Sequence, residues 1–171
     1  PVTESLRRIR QTSGVPLAFA GMVEGNARVT LDHFVGNATG SLDGLAVEVG
    51  HGLGGKVLHH NRPMAVNDYL ETPQITHRYN DAIATEGIRG IAAAPVIVDS
   101  RMVAVLYGAL RCDTKIDGRL LDVLTAQARN LEQEIAVSRA LVEADARLAP
   151  EADALRDRMT IAYTKLRALA R

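Results

Sequence analysis

The sequence predicts an α+β domain built on an antiparallel sheet, and three features of its 171 residues support this class. Two pairs of apolar, strand-like segments each flank a short polar turn, which is the pattern of antiparallel hairpins. A helical period then runs without interruption from residue 117 to 148. The strands do not alternate regularly with helices, so a parallel, Rossmann-like sheet is excluded.

The first hairpin follows a short helix at the start of the chain. Apolar and charged residues alternate at helical spacing over residues 5–10, and Gly14 ends the helix. The apolar segment 17–23 predicts a buried strand, and Gly25 and Asn26 tolerate the positive φ of a tight turn. The next strand alternates: Val29, Leu31, His33 and Val35 share one face, and Arg28, Thr30, Asp32 and Phe34 share the other.

Smaller elements connect the two hairpins. The sequence predicts a polar, glycine-rich loop over 36–44, a short strand over 45–49, a tight glycine-rich turn over 50–56, a short helix ending at His60, a strand over 64–66 and a helix over 75–86. The second hairpin joins strands at 90–98 and 102–111 through Asp99 and Ser100.

The C-terminal segment carries an apolar seam at alternating spacings of three and four, the a/d pattern of a coiled coil. Its members are Leu121, Leu124, Ala128, Leu131, Ile135, Ser138 and Val142. A helix of about thirty residues spans roughly 45 Å, more than the width of a small domain, so we expect its C-terminal half to project and to pair with a second copy. The alternative is that one face simply covers the sheet.

A second helix is expected after Pro150, because Asp145 and Pro150 break the phase of the seam. Proline suits the first turn of a helix. The new stripe consists of Ala152, Leu155, Met159, Ala162, Leu166 and Leu169.

Composition excludes several classes of function. Twenty basic residues balance twenty acidic ones, which argues against a freestanding nucleic-acid binder and against a polybasic membrane anchor. A single cysteine cannot form a disulfide framework or a multi-cysteine zinc site, and it fits a reduced, cytoplasmic compartment. No apolar run approaches the roughly 18–20 residues that cross a bilayer.

Because the chain begins at Pro1 and stops at Arg171 within a helical run, we expect a piece of a longer protein.

The glycine-rich segment does not match a nucleotide-binding motif. A phosphate-binding loop has four residues between its glycines and Ser or Thr after the lysine, whereas Val57 follows Lys56. The glycine spacing also departs from the dinucleotide fingerprint. We therefore expect a tight turn where side chains would clash, and nucleotide hydrolysis is excluded.

The histidines and the cysteine form no recognisable metal or catalytic site. None of the five histidines has the spacing of zinc ligands, and His59 and His60 lie on different faces of a helix. His33 is either a core histidine or part of a pocket wall, and His77 is a weak candidate for a haem ligand. Cys112 has no histidine near it in the sequence, so an inert thiol is expected. No catalytic residue, metal or cofactor is assigned.

Four stretches of the chain occur in a specific order. They are a glycine-rich turn at 50–57, Asn61-Arg-Pro63 with Val66-Asn-Asp-Tyr69, Gly87-Ile-Arg-Gly-Ile91 with Ala94-Pro-Val-Ile97, and Val103-Ala-Val-Leu-Tyr107. Together they resemble the GAF domain family of small-molecule sensors, over residues 14–142. Gly90 stands where the family commonly has Ser, and Ala104 stands where it commonly has Gly; both are small replacements.

The resemblance implies a central six-stranded antiparallel sheet with helices packed on both sides, one layer for dimerisation and one covering a ligand pocket. Residues 61–89 would form the roof of that pocket. Its ligand-binding residues would be Asp68, Tyr69, His77, Tyr79 and Arg89, with His33 as a pocket-wall candidate. The sensor domain, with its N-terminal and long C-terminal helices, is placed at 1–148, and 149–171 is interpreted as a helical linker.

The resemblance also allows three functional classes of the family to be compared with this sequence. Free methionine sulfoxide reductases of the family use several cysteines, bilin-binding members need a cysteine in the pocket, and cyclic-nucleotide phosphodiesterases carry an Asn-Lys-x-Asp-Glu signature. None of these features is found in the sequence. What remains is a non-enzymatic cytoplasmic sensor of an unidentified small molecule, which dimerises through its N- and C-terminal helices.

The linker resembles that of regulators with a LuxR-type helix-turn-helix, so DNA would be bound only by a further C-terminal domain. One alternative is the sensor domain of a histidine kinase or cyclase. Another, from a different class, is a haem or thiol redox module using His77 or Cys112.

Overall fold

The computed structural model of the chain describes residues 1–36 and 39–170. These residues form α1 (Val2–Ser13), β1 (Leu17–Glu24), β2 (Arg28–Val35), β3 (Ala46–Glu48), α2 (Gly52–His60), β4 (Met64–Val66), α3 (Asn80–Glu86), β5 (Gly90–Val98), β6 (Arg101–Leu110) and α4 (Gly118–Leu169). Part of the loop predicted over 36–44 lies outside the described residues.

The strands form one six-stranded sheet in the order β3-β2-β1-β6-β5-β4, and all neighbours are antiparallel. Both hairpins are confirmed, and their tight turns have positive φ at the residues where the sequence places them: Gly25, Asn26, Asp99 and Ser100. Positive φ at adjacent turn residues matches the twist of the flanking strands. The α+β class with a six-stranded antiparallel sheet is confirmed.

Helices cover both faces of the sheet. One face carries small buried side chains, among them Ala18, Ala92 and Gly108, and it packs against α1 and the first turns of α4. A β-carbon on Gly108 would lie 3.0 Å from Leu120 in α4, so the small residues let this helix approach the strands closely. The larger side chains of the other face, such as Phe19, form the main core beneath α2 and α3.

A β-bulge in β2 overturns part of the predicted alternation. Ala20 pairs with His33 but Gly21 pairs with Leu31, so Asp32 is an extra residue that reverses the faces beyond it. Phe34 therefore packs on the main core, where its ring lies 5.8 Å from that of Phe19. The interpretation of His33 as a core histidine is wrong, because its side chain is 36% exposed and its Nδ1 lies 2.6 Å from Asp32.

Two predicted boundaries between the hairpins are also wrong. The glycine-rich segment forms the first turn of α2, which begins at Gly52, and α3 begins at Asn80 instead of residue 75. Residues before Asn80 are held in a loop by side chains that bond to backbone groups. The Thr76 hydroxyl accepts the Gly52 N–H at 3.0 Å, and the His77 ring lies 2.7 Å from the Thr72 carbonyl oxygen. These bonds replace a helical ladder.

The prediction of two C-terminal helices is wrong, because α4 continues through Pro150. A proline inside a helix costs about 3 kcal/mol through one lost N–H donor and local crowding. The neighbouring residues, which include Arg147, Leu148 and Ala149, are strong helix formers that support continuity.

The chain divides into two compact units, residues 1–134 and 135–171. In the first unit, α4 buries Leu120, Leu124, Ala128 and Leu131, and its Glu132 carboxylate accepts the Ile97 N–H at 2.7 Å. The second unit is helical and exposes large apolar side chains. None of the helices in the described part of the chain combines the length and the hydropathy needed to cross a membrane.

Candidate functional site

A small cavity lies between the main-core face of the sheet and the layer formed by α2, α3 and their loops. Its volume is about 20 Å³, which is large enough to admit water. It is lined by Phe19, Leu31, Leu45, Val47, Leu53, Gly54, Tyr69, Tyr79, Ile83, Ile91 and Tyr107.

The floor of the cavity is an aromatic stack. The rings of Phe19 and Tyr107 are nearly parallel, at 5° and 4.5 Å between centroids, and Phe34 continues the stack beyond Phe19. Phe19 and Tyr107 are directly paired across β1 and β6, which places their side chains on the same face of the sheet. The floor is therefore fixed by the strand register.

The first turn of α2 closes over this floor, and its glycines make the approach possible. A β-carbon on Gly54 would overlap the Tyr107 hydroxyl, and one on Gly55 would overlap the Glu48 carbonyl oxygen. Gly52 has φ +61°, and a β-carbon there would lie 2.8 Å from the Tyr69 hydroxyl. The glycine-rich sequence is thus needed for close packing against tyrosines and β3.

Three buried tyrosines meet beneath α2. The Tyr79 hydroxyl oxygen accepts the Glu48 N–H at 2.8 Å. Burial, with Tyr79 close by, raises the pKa of Tyr69 to about 12, and the backbone N–H of Leu53, bonded to the phenol oxygen, partly opposes this rise. Burial also raises the pKa of Tyr107 far above its ordinary value. The phenols of Tyr69 and Tyr107 are therefore protonated at neutral pH.

The Tyr107 hydroxyl has no hydrogen-bond partner within residues 1–36 and 39–170. The residue is only 3% exposed, so water outside the fold does not solvate the group. A buried polar group without a partner carries a desolvation penalty of about 1–3 kcal/mol, which a bound water, ion or ligand would offset.

The roof of the cavity is tied to the rest of the domain by polar contacts. The Lys56 ammonium donates to the Gln74 carbonyl oxygen, and Arg78 forms an ion pair with Glu48 at 2.5 Å. The Ser41 hydroxyl donates to the Ala82 carbonyl oxygen at 2.9 Å. Most of these groups are solvent-exposed, so each contact contributes little.

Glu86, at the end of α3, is the strongest anchor of the roof. Its side chain is fully buried and lies 2.7 Å from the Arg111 guanidinium. It also accepts a hydrogen bond from the Thr39 hydroxyl at 2.5 Å. Arg111 donates in addition to the Glu86 carbonyl oxygen at 3.1 Å. The sequence reasoning missed this residue, since an acidic side chain in a short helix normally faces solvent.

The structure brings only two of the predicted ligand-binding residues, Tyr69 and Tyr79, to the cavity. His77 lies outside it, with its ring edge-on to Tyr69 at 6.4 Å. Asp68 and Arg89 lie at the surface, 3.9 Å apart, and Arg89 also pairs with Asp113 at 2.6 Å.

His33 is not among the cavity-lining residues either. Ligand binding by any of the six residues stays a prediction. Tyr107 was not predicted as a site residue, because its role depends on the strand register that places it opposite Phe19 and on the close approach of Gly54.

Within the described residues, no group of three or more His, Cys, Asp or Glu side chains lies in metal-binding range. Cys112 is exposed, and its hydrogen bond with Thr114, at 3.1 Å between sulfur and oxygen, lowers the pKa of the thiol. It is not part of the cavity lining.

Of the predicted dimer seam, Leu124, Ala128 and Leu131 are buried within the protomer itself. For these three, the alternative of a helix face that covers the sheet describes the structure. Leu121 and Ile135 are half-buried, and Ser138 and Val142 are exposed.

The sequence model of the GAF domain family matches residues 2–135. The chain belongs to the GAF domain family. This match covers the whole sheet, the cavity and the part of α4 that packs on the sheet.

A transcriptional regulator is similar to most of the chain. The chain is 32% identical over 140 residues to the HTH-type transcriptional activator RamA of Corynebacterium glutamicum, covering 82% of this chain and 50% of that protein. The chain thus spans about half the length of this relative.

Solved structures share the fold. A GAF domain from a phosphoenolpyruvate-protein phosphotransferase of Coxiella burnetii superposes with a TM-score of 0.67 at 18% identity, over 83% of this chain and 84% of that one. A free methionine-R-sulfoxide reductase from Neisseria meningitidis, in complex with its substrate, gives 0.66 at 17% identity, over 82% and 78%.

Proposed function

We propose that this GAF domain is the ligand-sensing, dimerising part of a cytoplasmic transcriptional regulator and is not itself an enzyme. The observation that carries the proposal is the cavity beneath α2, with a buried tyrosine hydroxyl that lacks a partner among the described residues. The identity of 32% to a transcriptional activator, over 82% of the chain, supports a role in transcription. DNA would be bound by a domain beyond this sequence.

Adjacent residues of β6 give a route for the signal. Tyr107 faces the cavity, while Gly108 faces α4 and touches Leu120. A ligand that binds better to one arrangement of the roof and floor favours that arrangement. Because the sheet is closely packed on both faces, a shift of β6 changes the packing of α4, whose helix continues to Leu169.

The partner of the exposed helix is a second copy of the chain. Residues 141–169 repeat apolar side chains at spacings of three and four, including Leu148, Leu155, Met159 and Leu166. These side chains are more than half exposed. An apolar stripe of this period is buried most readily against an equivalent helix.

The chemistry of the cavity supports binding without catalysis. Its lining contains no cysteine, histidine, carboxylate or lysine, the side chains that most often serve as nucleophile or general base. The single cysteine, Cys112, is exposed and outside the cavity.

A thermal-shift screen of small metabolites tests the sensor function. A ligand at a hundred times its dissociation constant stabilises the fold by about 2.7 kcal/mol. Gly54→Ala should abolish the shift, because the added methyl group occupies the space beside the Tyr107 hydroxyl. Gly118→Ala is the matched control, since a β-carbon there meets nothing within 4 Å. Ligands that stabilise both variants equally would contradict binding in this cavity.

A further inference from the structure

The three phenol groups around the cavity are arranged as hydrogen-bond donors. The Tyr79 oxygen already accepts from the Glu48 N–H, and the Tyr69 oxygen is hydrogen-bonded to the Leu53 backbone. Each keeps its own O–H proton to donate. The Tyr107 hydroxyl has no partner among the described residues. The site therefore presents phenol O–H groups and no carboxylate, amide or imidazole side chain.

The first turn of α2 adds a positive electrostatic potential to the same place. This helix has nine residues, its first turn contains no acidic side chain, and Leu53 and Gly54 from that turn line the cavity. The N-terminus of a helix carries a partial positive charge and favours anions. The Tyr107 hydroxyl points at this turn, against Gly54.

The remaining lining limits the size and the charge of a ligand. Most of it is apolar, and neither lysine nor arginine contributes to it. A buried anion is therefore held by hydroxyl and backbone donors alone, and because the cost of burial rises steeply with charge, a monoanion is favoured over a dianion. The cavity volume of about 20 Å³ favours a small ligand, because a larger one would have to displace the roof.

We propose that the cavity binds a compact monovalent oxyanion whose oxygen accepts a hydrogen bond from the Tyr107 hydroxyl at the N-terminus of α2. This inference rests on the proposed sensor function and names the chemical class of its ligand. Compact monoanions match the donors, the helix terminus and the volume together.

Sodium formate is the probe, because formate is a monoanion of three heavy atoms with two acceptor oxygens. We expect it to raise the unfolding temperature of the chain in a saturable manner. Tyr107→Phe keeps the ring and removes the hydroxyl, and it should weaken formate binding by at least about tenfold, as expected for one lost hydrogen bond to a charged group.

Matched controls separate this binding from general salt effects. Tyr163→Phe removes the hydroxyl of a tyrosine that is 70% exposed, and it should leave the formate response unchanged. Formamide has the same size without the charge. It should bind at least about tenfold more weakly than formate, since a charged acceptor forms the stronger hydrogen bond. Equal responses of Tyr107→Phe and Tyr163→Phe, or of formate and formamide, would overturn the proposal.

Failure of the anion proposal can be distinguished from failure of the proposed sensor function. No saturable response to formate, together with a larger metabolite that stabilises Gly118→Ala but not Gly54→Ala, rejects the anion and keeps the sensor. Tyr107→Phe should fold at least as stably as the parent chain, because it removes a buried hydroxyl without a partner among the described residues. A lost response in this variant is then a loss of binding.

Discussion

At the scale of single residues, Gly54 and Tyr107 form the contact on which the cavity depends. A β-carbon on Gly54 would overlap the Tyr107 hydroxyl oxygen, whereas the nearest ring carbon, which carries that hydroxyl, would be 3.1 Å away. The hydroxyl, and not the ring, therefore sets the requirement for glycine.

This geometry predicts a rescue between two substitutions. Gly54→Ala should lower the free energy of unfolding by about 2–3 kcal/mol, because an overlap in a packed core forces the backbone or the ring to move. Adding Tyr107→Phe should restore most of that loss, as measured by urea unfolding. In Gly55→Ala the overlap is with the backbone oxygen of Glu48, so Tyr107→Phe should give no rescue there. Equal rescue of both glycine variants would contradict the described contact.

Tyr69 gives the fold a dependence on alkaline pH. Its pKa is raised to about 12 by burial, above the ordinary value of about 10 in an unfolded chain. The unfolded state therefore loses its proton first, so the stabilising contribution is complete below pH 10 and is lost as the pH rises towards 12.

Tyr69→Phe should reduce this alkaline loss, which is on the order of 2 kcal/mol between pH 10 and 12. Urea unfolding across that range measures the effect, and Tyr163→Phe is the control because Tyr163 is 70% exposed. The same pH profile in both variants would contradict a contribution of Tyr69 to the alkaline loss of stability.

At the scale of elements, α3 is held in place by one buried ion pair. Glu86→Gln should lower the free energy of unfolding by about 2 kcal/mol, because it leaves the Arg111 guanidinium without its buried counter-charge. Arg111 is 29% exposed, so hydration offsets part of the cost. The matched control is Asp113→Asn, which removes an 81% exposed partner of Arg89 and should cost less than about 0.5 kcal/mol. Comparable losses in the two variants would contradict the anchoring role.

The bounds of several elements were predictable because their signals are local. Turn residues with positive φ, such as Asn26 and Asp99, and alternating apolar residues determine the hairpins without help from distant parts of the chain. The late start of α3 was not predictable, because Thr76 bonds to the distant Gly52 N–H. The bulge at Asp32 likewise depends on the register between two strands.

The candidate site was only partly predictable for the same reason. Tyr69 and Tyr79 stand in the segment that the family resemblance places over the pocket, and both line the cavity. Tyr107 and Glu86 acquire their roles only through tertiary contacts with α2 and Arg111. Arg89 forms ion pairs with Asp68 and with Asp113 at the surface. Residue type alone did not reveal this arrangement.

At the scale of the whole molecule, the exposed stripe on residues 141–169 predicts self-association. Leu155→Glu places a charge on the stripe and should shift the protein from dimer to monomer in analytical ultracentrifugation, because the charge would be buried in the interface. Thr164→Glu is the control, since residue 164 lies nine positions and hence 180° around the helix from Leu155. A parent chain that is monomeric at high micromolar concentration would contradict the dimer.

A ligand bound beneath α2 should change the packing of α4 on the opposite face of the sheet. Amide hydrogen exchange, measured with and without the most strongly stabilising small molecule from the screen, tests it most directly. The predicted result is slower exchange in two places, residues 67–86 of the roof and residues 118–131 of α4, with no change in Gly54→Ala. Protection confined to the roof, or equal protection in Gly54→Ala, would contradict the claim.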